Sequence, residues 1–255
     1  MPQIEIRSLG HRYARRDPWV LHDVGLTLPE GALVKVTGRN GAGKSTLLGL
    51  LAGVTRPVRG TVTGRPADVG YAPERFPAGQ PFSVRGYLRH MARLRGFSRT
   101  EAKAAAGAVT ERLGMTRLLR TPLRELSKGA AHKVGIAQAF LGPSELLVLD
   151  EPFAGLDPQT RDALTGMVIK ARGDGAAIVF SDHMAELPGL ADAVRWQVAD
   201  AGVRRLDPGE PGDPEAEHPP APPSVTFELT VPEEEAERVE RTLRTRGYEP
   251  RRTDR

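Results

Sequence analysis

Cysteine is missing from the 255-residue sequence, which excludes disulfide scaffolds and thiolate metal sites and is typical of a cytosolic protein. Long apolar stretches are missing too. No run of 18 or more apolar residues occurs, so we expect no transmembrane helix. The first residues, Met1-Pro2-Gln3, do not form a charged start followed by an apolar stretch, so we also expect no secretory signal.

Aromatic residues make up only 5% of the sequence, and lysine supplies six of its 36 basic residues. The formal net charge is +4. A positive balance can indicate nucleic acid or an anionic membrane surface as a partner. This excess is small, however, and it accompanies the abundant arginine, alanine, glycine and proline of a GC-rich coding sequence. We therefore expect no nucleic-acid partner.

Strands and helices alternate along most of the chain. Apolar residues at even spacing predict strands within residues 4–28. Further predicted segments are strands at 32–36, 61–72, 146–149 and 176–181, helices from Lys44 and at 158–171, and a short helix after the last strand. This alternation favours an α/β fold with a mostly parallel core sheet. The N-terminal strands are expected to add a small antiparallel β portion.

Residues 83–141 have helical patterns instead. One helical face would carry five apolar residues, Val84, Tyr87, Leu88, Met91 and Leu94. Ser98 and Glu101 have the spacing of a capping box that opens a second helix. A third helix is expected to begin at about Ser127.

Three parts are expected along the chain. Residues 1–206 would form the main domain, with a helical insertion at about 83–141. A linker would follow at 207–224, because residues 207–223 contain seven prolines and five acidic residues but no lysine or arginine. Residues 225–255 would form a short tail of one strand and one charged helix, too small to be stable alone.

A glycine-rich segment follows the predicted strand at 32–36. It matches the pattern G-x-x-x-x-G-K-[ST] and consists of Gly38, Arg39, Asn40, Gly41, Ala42, Gly43, Lys44 and Ser45, followed by Thr46. Glycines allow the backbone to wrap around phosphate, and the amides at the following helix N-terminus attract the anion. Lys44 would lie near the β- and γ-phosphates, and the Ser45 hydroxyl would bind Mg²⁺.

A second acidic site is predicted at the end of the apolar strand 146–149. Asp150 follows the strand directly and can hold the Mg²⁺ shell, as in phosphate-loop NTPases. Glu151 would then reach the attacking water as general base. Many strands end in acidic turns, so this pattern alone does not indicate a functional site. The phosphate loop upstream is what favours the functional interpretation.

Several motifs in one order make the sequence similar to the ATP-binding subunit, or nucleotide-binding domain, of an ABC transporter over roughly residues 3–205. In chain order, these motifs are the aromatic Tyr13, the Walker A segment 38–46, the Q-loop position 71–74, the signature position 126–130, the Walker B segment 146–150 with Glu151, the D-loop 154–157 and the switch histidine His183. The resemblance implies a P-loop NTPase fold of the ABC ATPase type.

The resemblance also implies roles for individual residues. Tyr13 would stack on adenine, and Glu74 would join Ser45 and Asp150 at the metal. Ser127 and Gly129, at a helix N-terminus, would contact the γ-phosphate held by the other subunit of a head-to-tail dimer. Asp157 would link the two sites. His183 would contact the γ-phosphate and orient Glu151, so Lys44, Glu151 and His183 are the expected catalytic residues.

The partners implied are a separate transmembrane permease subunit and a second ATP-binding subunit, either another copy or a related chain. The expected location is peripheral, at the cytoplasmic face of the membrane, with an exporter-type role. Two positions depart from the family pattern: Glu74 replaces the Q-loop glutamine, and the signature carries Lys128 and Ala130 where Gly and Gln are common. We expect these departures to leave the site active, with altered catalytic properties.

Other function classes fit less well. A soluble ABC-type ATPase acting on nucleic acid or ribosomes usually has two such domains or a long coiled coil, and this sequence has one domain and no sustained heptads. A GTPase needs an Asn/Thr-Lys-x-Asp element, but Asn40 is the single asparagine and no threonine precedes a lysine. A metabolic kinase would lack the ordered signature, D-loop and histidine.

Overall fold

A computed structural model describes residues 3–182 and 189–207, together with positions 210 and 239. The chain divides into two units, Met1–Pro219 and Pro220–Arg255. Only position 239, which is helical, is described in the second unit. The predicted linker after residue 207, the strand and helix of the tail, the short helix after 176–181 and His183 therefore lie outside the described residues, apart from these single positions.

Nine strands and five α-helices make up the described part of the first unit. The strands are β1 (Ile4–His11), β2 (Leu21–Leu28), β3 (Leu33–Thr37), β4 (Arg59–Thr63), β5 (Val69–Ala72), β6 (Leu146–Leu149), β7 (Ala177–Ser181), β8 (Val194–Ala199) and β9 (Gly202–Leu206). The helices are α1 (Lys44–Ala52), α2 (Val84–Leu94), α3 (Arg99–Arg112), α4 (Lys128–Ala139) and α5 (Pro158–Gly173). None of the described helices is both long and apolar enough to cross a membrane.

The core of the domain is a six-stranded sheet in the order β5-β6-β7-β3-β8-β9. Neighbouring strands are parallel except β9, which runs antiparallel to β8. Every residue of β6 and β7 is buried, because helices cover both faces of a parallel sheet. Leu146 and Val148 pack with the leucines of α1, whereas Leu147 and Leu149 pack with the helices on the other face.

A second, three-stranded antiparallel sheet has the order β2-β1-β4. The predicted α/β class, with a mostly parallel sheet and a small antiparallel portion, is confirmed. Strand was predicted within 61–72, and the structure has two separate strands there. The segment forms β4 and β5, which belong to different sheets, and residues between them form a turn with Gly64 at φ +75°.

Helices α2, α3 and α4 lie in the segment that the sequence predicted to be helical. The Ser98 side chain accepts from the Glu101 amide and Glu101 accepts from the Ser98 amide, so the capping box is confirmed. Ser127 is the N-cap of α4, as expected. Of the five apolar residues predicted on one face of α2, Val84, Tyr87 and Leu88 are buried, whereas Leu94 is not. It is the last residue of that helix and is 68% exposed, beyond the buried stripe.

Gly38→Ala is expected to destabilise the fold. Gly38 has φ +143°, and a Cβ there would lie 2.4 Å from the Val198 carbonyl oxygen of β8. The strained backbone alone costs about 1–3 kcal/mol, and the clash adds to it. Gly166→Ala in α5 is the matched control, since a Cβ there meets nothing within 4 Å and alanine favours helix. Thermal melting should separate the two variants; equal melting temperatures would contradict this account.

Candidate nucleotide-binding site

The phosphate loop connects β3 to α1 at the carboxyl edge of the parallel sheet. Its three glycines at 38, 41 and 43 all have positive φ, at 143°, 81° and 111°. Side-chain residues rarely adopt such angles, so the local sequence is what permits the turn. Gly43 is the N-cap of α1, and the free amides of that first turn form an anion-attracting end of the helix.

Lys44, the first residue of α1, is buried within the loop that precedes it. Its Nζ donates to the Gly38 carbonyl at 2.8 Å and to the Arg39 carbonyl at 3.4 Å. Burial lowers the pKa of the ammonium group, and the nearby carboxylates of Glu151, Asp150 and Glu74 oppose that shift. The side chain therefore places one positive charge between the glycine-rich loop and a group of acids.

Asp150 and Glu151 follow β6 and are both buried. Asp150 accepts a hydrogen bond from the Ser181 hydroxyl at 2.7 Å. Burial raises the pKa of the Glu151 carboxyl to about 7, with Asp182, Asp150 and Glu74 adding to the rise and the Lys44 charge opposing it. A carboxyl group with a pKa near neutrality is suited to proton transfer at physiological pH.

A cavity of about 370 Å³ brings most of the predicted site residues together. It is lined by Tyr13, Val20, Asn40, Gly41, Gly43, Lys44, Ser45, Thr46, Glu74 and Glu151. Val20 was not predicted as a site residue. Its Cγ1 lies 3.0 Å from where a Cβ at Gly43 would be, a contact between distant segments with no signal in the sequence.

A larger cavity, of about 700 Å³, lies between α3, α5 and the segment before β6. None of its lining residues belongs to the phosphate loop or the acidic pair. Size therefore does not identify the functional site here. The smaller cavity has the convergent charges and the phosphate-binding backbone.

Tyr13 lies at the edge of the smaller cavity and is 71% exposed. Its hydroxyl forms a 2.8 Å hydrogen bond with the Thr46 Oγ1 of α1, and its ring lies edge-on to His11 at 5.2 Å. The hydroxyl is thus tied to the phosphate-loop helix while much of the ring faces solvent, where a planar base could contact it.

Of the three predicted ion ligands, Ser45 and Glu74 line the cavity and Asp150 does not. Their hydroxyl and carboxylate oxygens are the kind of ligand that Mg²⁺ prefers. Glu74 is half-exposed, and its Oε1 lies 3.9 Å from the Nε of Arg75. Among the residues the structure describes, no three or more His, Cys, Asp or Glu side chains form a metal cluster. The residues fit an ion that is held by few protein ligands and completed by phosphate and water.

The signature and D-loop residues lie elsewhere. Ser127 caps α4, accepting from the Ala130 amide at 3.3 Å, and Gly129 lies in the first turn. Neither residue lines the cavity, and neither does Asp157. Asp157 caps α5 and binds the Lys133 ammonium at 2.7 Å. Lys133 and Thr160 hold the pKa of Asp157 well below its usual range.

Comparisons with known proteins agree with this geometry. The family model described as "ABC transporter" matches residues 21–154. The chain is 36% identical over 169 residues to an uncharacterized ABC transporter ATP-binding protein, YhaQ of Bacillus subtilis, covering 63% of this chain and 57% of that protein. It is 37% identical to the zinc import ATP-binding protein ZnuC of Alkalilimnicola ehrlichii, covering 70% and 68%.

Among solved structures, the chain resembles one described as the ATP binding subunit of an ABC transporter. The TM-score is 0.69 at 27% identity, covering 81% of this chain and 91% of that one. A phosphate loop on a mostly parallel sheet, with Glu151 on the same cavity and Asp150 beside it in sequence, defines an ATPase domain of the phosphate-loop class. The chain belongs to the ABC transporter family, as an ATP-binding domain.

Proposed function

We propose that this chain binds Mg²⁺ and ATP at the phosphate loop and couples ATP hydrolysis to transport through a separate membrane-spanning chain. The main support for this proposal is that Lys44, residues of the phosphate loop and Glu151 all line the same cavity. The chain spans little more than half of the relative YhaQ, so the assembly around it is part of the proposal.

The mechanism assigns one task to each group. The phosphate-loop amides and the Lys44 ammonium bind and orient the phosphates, and Tyr13 offers its ring to adenine. Ser45, Asp150 and Glu74 would hold the ion, which would neutralise phosphate charge when bound. Glu151 accepts a proton from the attacking water. Catalysis is then mainly positioning and charge stabilisation.

A second ATP-binding subunit, another copy or a related chain, would complete the site. The support is that Ser127 and Gly129 sit at an exposed helix N-terminus but do not line the chain's own cavity. They are available to the γ-phosphate of the facing subunit. Asp157 would connect the two sites, and His183 would orient Glu151. The subunit would lie at the cytoplasmic face of the membrane.

Direction of transport needs its own evidence. The sequence led us to expect an exporter-type subunit, but ZnuC is named for zinc import. The relatives reported above therefore give export no support, and that name favours import. A transport assay in sealed vesicles of known orientation, with the permease present, decides between the two directions.

ATP hydrolysis is expected to fall as pH drops through about 7. Glu151 can accept a proton only when ionised, and its pKa is raised to about 7, so acidification removes the base. Initial rates of phosphate release across this range would measure the effect. ATP binding, followed at the same pH values, should persist. A rate that stays constant well below pH 7 would show that Glu151 is not the titrating base.

The permease is tested by purifying the tagged full chain from detergent-solubilised membranes of its host and identifying co-purifying chains by intact mass. A stoichiometric multi-span chain supports the transporter. If only ribosomes, nucleic acid or soluble proteins co-purify, the same ATPase site belongs to a soluble machine, the alternative considered from the sequence.

A further inference from the structure

Ser181 ends β7 beside the turn that carries the acidic pair. Its side chain is completely buried. The Ser181 hydroxyl donates to Asp150 Oδ1 at 2.7 Å and accepts from the Glu151 amide at 2.8 Å. One buried hydroxyl thus contacts two successive residues of the neighbouring strand end.

The direction of these two hydrogen bonds is fixed by chemistry. The Glu151 amide can only donate, so the Ser181 oxygen must accept from it. The hydroxyl has one proton, and that proton points to the Asp150 carboxylate. This hydrogen bond restricts the rotation of the Asp150 carboxylate and leaves its other lone pairs open to an ion.

The turn held by Ser181 has an unusual backbone. Glu151 has φ +50°, a left-handed conformation that residues with side chains adopt rarely. Such a conformation persists only where its surroundings hold it. The amide that Ser181 binds belongs to the same residue, so the hydroxyl anchors the turn that directs the Glu151 side chain toward the cavity.

We propose that Ser181 is a positioning residue for the ATPase site, whose hydroxyl sets the orientation of Asp150 toward the metal ion and of Glu151 toward the attacking water. The inference rests on the proposed function. It also explains how the end of β7 is joined to the acidic pair. Position 183, assigned to the switch histidine by resemblance, is only two residues further along the chain.

The test compares Ser181→Ala and Ser181→Thr in the full chain. Mn²⁺ binding is measured by electron paramagnetic resonance in the presence of a non-hydrolysable ATP analogue, and phosphate release is measured separately. Ser181→Ala should weaken Mn²⁺ binding by about 10- to 100-fold, the usual effect of losing a group that orients a metal ligand. Affinity for the analogue without metal should stay close to that of the original chain, and Ser181→Thr should restore most of the Mn²⁺ affinity.

Thr110→Val is the matched control. Thr110 is buried in α3, where its hydroxyl donates to the Ala106 carbonyl at 2.7 Å, and no residue of α3 lines the nucleotide cavity. This variant should bind Mn²⁺ as the original chain does. If Ser181→Ala does not fold, Ser181→Cys keeps the volume with a much weaker donor and acceptor and should show the same loss.

Unchanged Mn²⁺ affinity in folded Ser181→Ala or Ser181→Cys would overturn the proposal, and so would an equal loss in Thr110→Val. Failure of the proposed function is a different result. In that case the original chain binds analogue and Mn²⁺ but releases no phosphate, and the Mn²⁺ comparison still decides the role of Ser181.

Discussion

Glu151→Gln is expected to lower kcat for ATP hydrolysis by about 10²- to 10⁴-fold, the range that a positioned general base contributes. Glutamine has nearly the same shape but cannot accept a proton from water. The Glu151 carboxyl lines the nucleotide cavity, and burial raises its pKa to about 7. At neutral pH a substantial fraction of this side chain is therefore ionised and able to accept a proton. Single-turnover phosphate release measures the chemical step directly.

ATP affinity should change little in the same variant, because removing a buried negative charge does not weaken the hold of Lys44 on phosphate. Glu111→Gln, an exposed change on α3, is the matched control and should hydrolyse ATP normally. If Glu151→Gln retains most of the original kcat, another residue is the general base.

Lys44→Met is expected to weaken ATP binding by roughly 10- to 150-fold. A hydrogen bond to a charged group contributes about 1.5–3 kcal/mol, and about 1.4 kcal/mol corresponds to a factor of ten in affinity. Methionine fills a similar volume without the charge. The Lys44 ammonium is buried and bonded to loop carbonyls. Because Lys44→Met also removes the free-energy cost of burying that charge, we expect the variant to fold.

Equilibrium binding of ATP, measured by calorimetry with the full chain, tests this expectation. Lys170→Met is the matched control, since Lys170 lies on α5 and pairs with Asp174 at the exposed surface. Normal ATP affinity in folded Lys44→Met would mean that the glycine-rich loop does not hold the phosphates.

The part of the site that follows from the sequence is its contiguous part. The loop from Gly38 to Thr46 needs its glycines in a row, and Asp150 and Glu151 come directly after an apolar strand, so spacing along the chain is enough to find them. The roles of these residues remain proposals. The strand-and-helix order likewise predicts the sheet, because parallel strands require helical crossovers.

The parts that the sequence did not yield depend on contacts between distant segments. Neither β8 nor β9 was predicted from residue spacing, although Trp196 and Val198 of β8 are buried in the core. The strand predicted within 61–72 gave no indication that β4 and β5 belong to different sheets. Ser181 is an ordinary strand residue in the sequence, and only pairing of β7 with β6 brings its hydroxyl to the acidic turn.

The most direct test of the account is phosphate release from saturating Mg²⁺·ATP by the full chain, purified together with the membrane-embedded chain that binds it. We expect continuous turnover that disappears in Glu151→Gln. Stable ATP binding with no detectable phosphate release would contradict it. That result would mean that Glu74, Lys128 and Ala130, where this chain departs from its family, leave a domain that binds ATP without hydrolysing it.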